Sequence, residues 1–524
     1  MNYNGDCPMS QGVRKAYKNG EEDETLLPLV LTGPDGPLGR IRRGDSVIFY
    51  NIRGEREIEL TESLTSKEFN KFPAEKGLDL DFATMIQYSP SLHVKVAFPP
   101  EGVVENTLCE VLSANGLKIV KITEAEKAVH VSFFLNGKRT EPFAGEERVI
   151  VPTRKDVALF DQAPEMSIEG ITEAVLEKVR DGRYDFIFAN YPNVDVVGHI
   201  ENEPAVVRAI EAVDRNTGIA ASAALENGMT IVISADHGTV EKWLYPDGAV
   251  DTGHTDSPVP FLVIDPENKI ELRREGELSD VAPTVLDLFG VEKPPAMTGQ
   301  SLVKGALSGR RRRVLFLLLD GWGHSAEQKG NLIAGADTPN MDRLMARYPA
   351  SVLTAAGEAV GLPAGTVGNS EVGHLHIGAG RRIYSDRARI DLAIADGSFF
   401  RNEAFLGPIR RARQYNSALH LMGIVSFFSS HGSVNHLLAL MDMARTEGIH
   451  NLVIHAMLGR RGELPESGAV YIETIEKKTR EIGVGKVVSV IGRYWSMDRE
   501  ENWDRIEKTY RMLVYGEGRP VREG

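Results

Sequence analysis

The stretch Arg313–Gly323, RVLFLLLDGWG, is six apolar residues closed by an aspartate and a glycine. A run this short cannot span a bilayer, and its apolar residues do not alternate with polar ones. It therefore reads as a strand buried on both faces, the kind found in parallel sheets. The same signature recurs in DSVIFYNI at 45–52, YDFIFANY at 184–191, MTIVISAD at 229–236, PFLVID at 260–265 and NLVIHAML at 451–458. Helical patterns lie between them, among them SIEGITEAVLEKVRDG and EPAVVRAIEAVDRNTGIAASAALENG, each closing on glycine. Strands alternating with helices predict an α/β fold of doubly wound sheets covered on both faces. In such folds ligands gather at the carboxyl ends of the strands.

The residues at those ends carry chemistry. FLLLDGWG ends in Asp320, and IVISADHG in Asp236 and His237. FANYPNVDVVGH carries Asp195 and His199 at a spacing of four, which puts both on one face of a helix, and DTGHTDSPVPF sets His254 just before a strand. One Asp-Gly at a strand end is ordinarily a turn, but four endings that pool three aspartates and three histidines are not explained that way. Histidine and carboxylate together suit Zn²⁺ or Mn²⁺. Six side chains exceed one tetrahedral site, so two ions are the natural count, as in centres that catalyse phosphoryl displacement. Five glycines between Gly365 and Gly380 surround Ser370 in GNSEVGH at 368–374. A serine in that setting can be approached closely, serve as a seventh ligand and act as a nucleophile activated by coordination.

The 524 residues carry a formal net charge of −14, which argues against a nucleic-acid or membrane-surface partner. Two cysteines, Cys7 and Cys109, make no disulfide framework and fit a reducing compartment. The opening MNYNGDCPMSQGVRKAY lacks a signal-peptide pattern, and a cytoplasmic monomer is the expectation. The basic run SGRRRRVLF at 308–316 reads as a solvated connector.

Taken together, LLLDGWG, GLPAGTVGNSEVGHLHIGAGR, GRYWSMDRE, NYPNVDVVGH, SADHG and GHTDSPVPF closely resemble the cofactor-independent (2,3-bisphosphoglycerate-independent) phosphoglycerate mutases of the alkaline phosphatase superfamily. The likeness covers nearly the whole chain, but the order differs. In that family LDGWG and GNSEVGH open the chain, whereas ADHG and MTGQSL close it. Here the family's C-terminal portion occupies about 1–307 and its N-terminal portion about 310–524, which implies a circular permutation cut in a surface loop. The resemblance implies an alkaline-phosphatase-like metal domain over 99–384 and a smaller substrate-binding domain built from 1–98 and 385–524. Two domains closing over a substrate would keep water from a phosphoserine.

The resemblance assigns Asp236, His237, Asp320 and Ser370 to one metal and Asp195, His199 and His254 to the other, with two divalent cations and Mn²⁺ as the expected identity. It makes Ser370 the nucleophile and Lys127 a cation beside the transferred phosphate. His431, Arg461, Arg493, Arg499, Arg53 and Arg56 become contacts to a small phosphorylated or phosphonate acid. His374 and His436 read as structural. Three segments depart from the family. SFFSSHGS at 426–433 brings in Phe427 and Phe428, aromatic rings able to stack on a planar group. Arg53-Gly54-Glu55-Arg56 replaces RPDR, and Gly459-Arg460-Arg461-Gly462 puts Gly462 where a substrate-contacting aspartate is expected. The reading is therefore a mutase interconverting 3- and 2-phosphoglycerate, or a paralogue that transfers or hydrolyses another phosphoryl or phosphonyl group.

Overall fold

A computed structural model describes residues 7–267, 269–305, 307, 312–427, 429–459, 464 and 466–523. Phe428, Arg460, Arg461 and Gly462 lie outside the described residues. The chain divides into two compact units, Met1–Pro100 with Arg389–Gly524, and Glu101–Ala388.

The unit Glu101–Ala388 is built on an eight-stranded sheet among the described residues. Its order is Glu275–Glu277, Ala350–Thr354, Val259–Ile264, Thr230–Ser234, Val314–Leu319, Phe186–Tyr191, Ile119–Glu124 and Glu146–Val151. The opening stretch is the strand Val314–Leu319, with all six side chains buried, and it runs parallel to Thr230–Ser234 on one side and Phe186–Tyr191 on the other. Burying each such side chain stabilises by roughly 1.5–3 kcal/mol. The helices Ile168–Asp181 and Glu203–Glu226 present apolar faces to the same core. Asn202 caps the second helix by accepting from Ala205 N–H, and Gly182 ends the first in a left-handed conformation.

The run at 260–265 departs from expectation. Its strand Val259–Ile264 is antiparallel to both neighbours, Thr230–Ser234 and Ala350–Thr354. A parallel return needs a crossover, usually a helix, and the connection 235–258 contains none. That irregular connection instead carries Asp236, His237 and His254. The basic run also differs from a solvated connector at its end. Arg313 donates to the carbonyls of Tyr184 and Val179 at 3.0 and 3.2 Å, and Arg312 lies 3.7 Å from Asp265.

The other unit has its own core and a sheet knit from both ends of the chain. Lys486–Gly492, Leu452–Leu458, Leu419–Ile424, Ser46–Phe49, Asp81–Ile86 and Lys95–Phe98 follow one another in parallel. Leu29–Gly33 adds antiparallel at one edge, beside Arg519–Arg522. Among the described residues no helix is long and apolar enough to cross a membrane.

Candidate metal centre

Four adjacent parallel strands of the unit Glu101–Ala388 deliver side chains to one place. Asp320 directly follows Val314–Leu319, and Asp236 and His237 follow Thr230–Ser234. Asp195 and His199 stand on or just after the short helix Asn193–Gly198 beyond Phe186–Tyr191, and Lys127 follows Ile119–Glu124. The approach is close enough to dictate glycine. Gly321 has φ +80°, and a Cβ there would lie 2.8 Å from Asp195 N. A Cβ on Gly373 would lie 2.5 Å from the Asp236 carbonyl, so the helix Ser370–Ala379 can rest on Asp236 only with glycine at that turn.

Ser370 is the first residue of that helix. Its Oγ is 2.6 Å from Lys127 Nζ, 2.9 Å from His237 Nε2 and 3.2 Å from Asp320 Oδ1. Lys127 also donates to Asp195 Oδ2 at 2.6 Å and Asp320 Oδ1 at 2.7 Å. His254 Nε2 lies 3.1 Å from Asp195 Oδ1 and 3.1 Å from His199 Nε2. All seven expected ligands are thus brought together, with Lys127 among them. Ligand atoms of Asp236, His237 and Asp320, and those of Asp195, His237 and His254, each lie within 4.8 Å of one another. His237 belongs to both groups, and His199 sits at the solvent edge with 46% of its side chain exposed.

The protonation pattern fits cations. His199, His237 and His254 each turn Nδ1 to a backbone carbonyl, of Thr252, Gly238 and Gly368, at 2.8, 3.2 and 3.0 Å. Their Nε2 lone pairs then converge on the aspartates, as metal-binding imidazoles are oriented. Asp195 Oδ1 is buried without a hydrogen-bond partner. Three buried carboxylates surround one ammonium, a deficit of positive charge that divalent cations would correct. Burial disfavours the charged Lys127, but Asp320, Asp195 and Asp236 outweigh it and hold the ammonium above its ordinary value. Burial, then the nearby Asp236, pushes the Asp320 carboxyl up.

Asn190 gave no signal in the sequence, being one polar residue in a strand run, and His374 read as structural; the structure places them against Asp320 and Asp236. His436 pairs with Asp391 at 2.8 Å and takes no part.

In the other unit, the described residues among those expected at the substrate, Arg53, Arg56, His431, Arg493 and Arg499, stand beyond the carboxyl ends of parallel strands. Arg53 and Arg499 approach opposite oxygens of Glu55 at 3.5 and 2.7 Å. Arg56 donates to the Met497 carbonyl at 3.0 Å, and Arg493 lies 3.7 Å from Glu24. His431 is buried, with Nδ1 3.5 Å from the buried Glu57 carboxylate. Phe427 makes a T-shaped contact with Tyr471, the ring centroids 5.4 Å apart.

Two parallel-rich sheets, one of them ending in an Asp/His cluster around a serine, make the arrangement of a metal-binding α/β protein. The comparisons narrow that class. The family model described as the metalloenzyme superfamily matches residues 32–293, half of the chain, and the model described as the BPG-independent PGAM N-terminus matches 390–523. The chain belongs to the metalloenzyme superfamily. It is 42% identical over 295 residues to the 2,3-bisphosphoglycerate-independent phosphoglycerate mutase from Moorella thermoacetica (56% of this chain, 57% of that one). It is 43% identical over 296 residues to that from Clostridium botulinum, again over 56% of this chain and 57% of that one. The chain thus spans little more than half the length of the curated relatives it matches. A solved structure of Leishmania mexicana phosphoglycerate mutase at low cobalt concentration is 29% identical over 52% of this chain and 53% of its own. Its TM-score of 0.36 is too low to support an inference.

Proposed function

We propose that the protein moves phosphate between the 3- and 2-hydroxyls of glycerate through a phosphoserine at Ser370. The observation that carries this reading is the environment of Ser370 Oγ, in reach of Lys127 Nζ at 2.6 Å and His237 Nε2 at 2.9 Å at the start of a ten-residue helix. Asp320 Oδ1, 3.2 Å from the serine oxygen, is able to accept the hydroxyl proton. The serine oxygen left behind is favoured by the Lys127 ammonium and by the helix N-terminus. Ser370 Oγ attacks phosphorus, the bond to the glycerate 3-oxygen breaks, and that oxygen takes up a proton. The 2-hydroxyl then attacks the phosphoserine, loses its proton and releases Ser370 Oγ. Lys127 offsets negative charge on the group in transfer.

Asp236, His237, Asp320 and Ser370 would hold one divalent cation and Asp195, His199 and His254 a second, with Mn²⁺ the proposed identity. When bound, such ions supply charge neutralisation at the phosphoryl oxygens and at the serine. Arg53, Arg56, Arg461, Arg493, Arg499 and His431 are the proposed holders of the glycerate carboxylate and hydroxyls. The match of an N-terminus model to residues 390–523, after the metalloenzyme match at 32–293, supports our reading of the chain as a circular permutation, and the division into two compact units supports domains near 99–384 and 1–98 plus 385–524.

Gly462, standing where the family resemblance places an aspartate, favours a second reading, transfer or hydrolysis of a different phosphoryl or phosphonyl acid. One assay separates the two. Manganese-loaded protein is given 3-phosphoglycerate while 2-phosphoglycerate and free phosphate are followed. The mutase reading expects 2-phosphoglycerate at a usual enzymatic rate of about 1–10³ per second. Release of phosphate alone, or no turnover, favours the second reading.

A further inference from the structure

Behind the aspartates lies a second row of buried polar groups that the mechanism above does not use. Asn190, next to last in the strand Phe186–Tyr191, is fully buried. Its Nδ2 lies 2.8 Å from Asp320 Oδ2 and 3.1 Å from His374 Nε2, and its Oδ1 is 3.4 Å from the Thr123 hydroxyl. His374, equally buried, sets Nδ1 2.8 Å from the Ser370 carbonyl and 3.2 Å from Asp236 Oδ2.

These contacts fix the protons. Nδ1 of His374 faces a carbonyl and a carboxylate, both acceptors, so it carries the hydrogen. A half-turn of the Asn190 amide would press Oδ1 against the Asp320 carboxylate, so Nδ2 must face that carboxylate and the ring. His374 Nε2 then accepts from Asn190. The effect on the aspartates is specific. Asp320 has Oδ2 tied to Asn190, which leaves Oδ1 turned to Lys127 at 2.7 Å and Ser370 at 3.2 Å. Asp236 has Oδ1 accepting from the backbone N–H groups of His237 and Gly321 at 3.1 and 3.2 Å, which leaves Oδ2 beside His374.

We propose that Asn190 and His374 are positioning residues that tie Asp236, Asp320 and the first turn of the Ser370 helix into one preset frame for a divalent cation. The inference rests on the metal-centre reading. A mere packing role for the same two residues would fill the space equally well but would leave ion affinity alone. The ion alone therefore makes the test. Mn²⁺ is titrated into the full-length protein, and binding is followed by calorimetry and by the spin-resonance signal of free manganese. Asn190→Leu and His374→Ala should each weaken binding about 10- to 100-fold with unchanged circular dichroism. His374→Asn, which keeps an N–H donor near the Ser370 carbonyl, should recover most of the loss. If Asn190→Leu fails to fold, Asn190→Ser removes the amide donors with less disturbance and carries the same expectation. Unchanged affinity in the folded variants, or equal losses in His374→Ala and His374→Asn, overturns the proposal. Wild-type protein that binds no Mn²⁺ overturns the metal-centre reading and this inference with it, whereas tight wild-type binding matched by the variants overturns the inference alone.

Discussion

The two residue clusters differ in how firmly they are held. In the unit Glu101–Ala388, Asp236, His237 and Asp320 have no exposed surface, and backbone or side-chain partners orient each of them. In the other unit, Arg53 and Arg499 leave 49% and 47% of their side chains exposed and meet at one carboxylate, Glu55. The difference follows from where each set is anchored. Groups that must meet a developing charge gain from being fixed in advance at rigid strand ends, whereas groups that recognise a ligand stand on loops free to adjust.

The contrast is sharpest at the serine. Ser370→Ala should lower turnover by at least about 10⁴-fold while the fold and metal content persist, because no other hydroxyl occupies that place. Near-normal turnover would remove the chemistry from this cluster. Lys127→Met should come next, with kcat down about 10²–10³-fold and KM little changed, since its ammonium acts on charge that grows during transfer. A loss confined to KM would recast Lys127 as a ground-state binder. Within the arginine set the graded burial makes a finer prediction. Arg493, with 12% of its side chain exposed, should matter more than the half-exposed Arg53. Steady-state kinetics should show about 10- to 100-fold lower kcat/KM for Arg493→Ala and less than about 5-fold for Arg53→Ala. The reverse order would break the link between burial and function in that unit.

The smallest expected effect concerns pH, and one buried imidazole in each unit, His376 and His455, contributes with the same sign. His376 is fully buried; its Nδ1–H donates to the Val372 carbonyl at 2.8 Å, and its Nε2 accepts from Ile383 N–H at 3.0 Å. Burial lowers its pKa to about 4 from an ordinary 6.5. A depressed folded value means the unfolded chain binds the proton first. The contribution is complete above 6.5 and is lost as pH falls toward 4. Each such group costs about 1.4 kcal/mol per pH unit in that window. In the other unit a buried chain runs from Ser489 through His455 and His420 to Asp45, at 2.7, 3.0 and 3.1 Å. Burial and then the neighbouring His420 hold His455 well below its usual range, so acid acts there in the same direction. Thermal unfolding should move to lower temperature as pH drops below 6.5, and a flat profile would show that neither ring is held neutral.

Much of this was legible in the sequence, and the exceptions have physical causes. Apolar runs such as Val314–Leu319 announced the strands, because burial on both faces leaves no polar position. The aspartates were legible because strand ends are where such sheets place ligands. Strand direction was not, since Val259–Ile264 has the composition of its parallel neighbours and only the helix-free connection 235–258 distinguishes it. Asn190 gave no signal, and His374 read as structural, for a related reason. A single buried amide or imidazole carries no periodic signal, and its partners, Asp320 and Asp236, are brought to it by the tertiary fold alone. Arg312 and Arg313 read as solvent-facing because a charge run usually is, yet Asp265 and the carbonyls of Tyr184 and Val179 draw them in.

The central claim is that Ser370 carries the phosphoryl group during turnover. Manganese-loaded protein, mixed with 3-phosphoglycerate and quenched in acid within a turnover, can be digested and its peptides mapped by mass spectrometry. The phosphoryl group is predicted on Ser370 and absent from Ser370→Ala. A phosphoryl group on another residue, or sustained production of 2-phosphoglycerate with Ser370 never modified, would contradict the account.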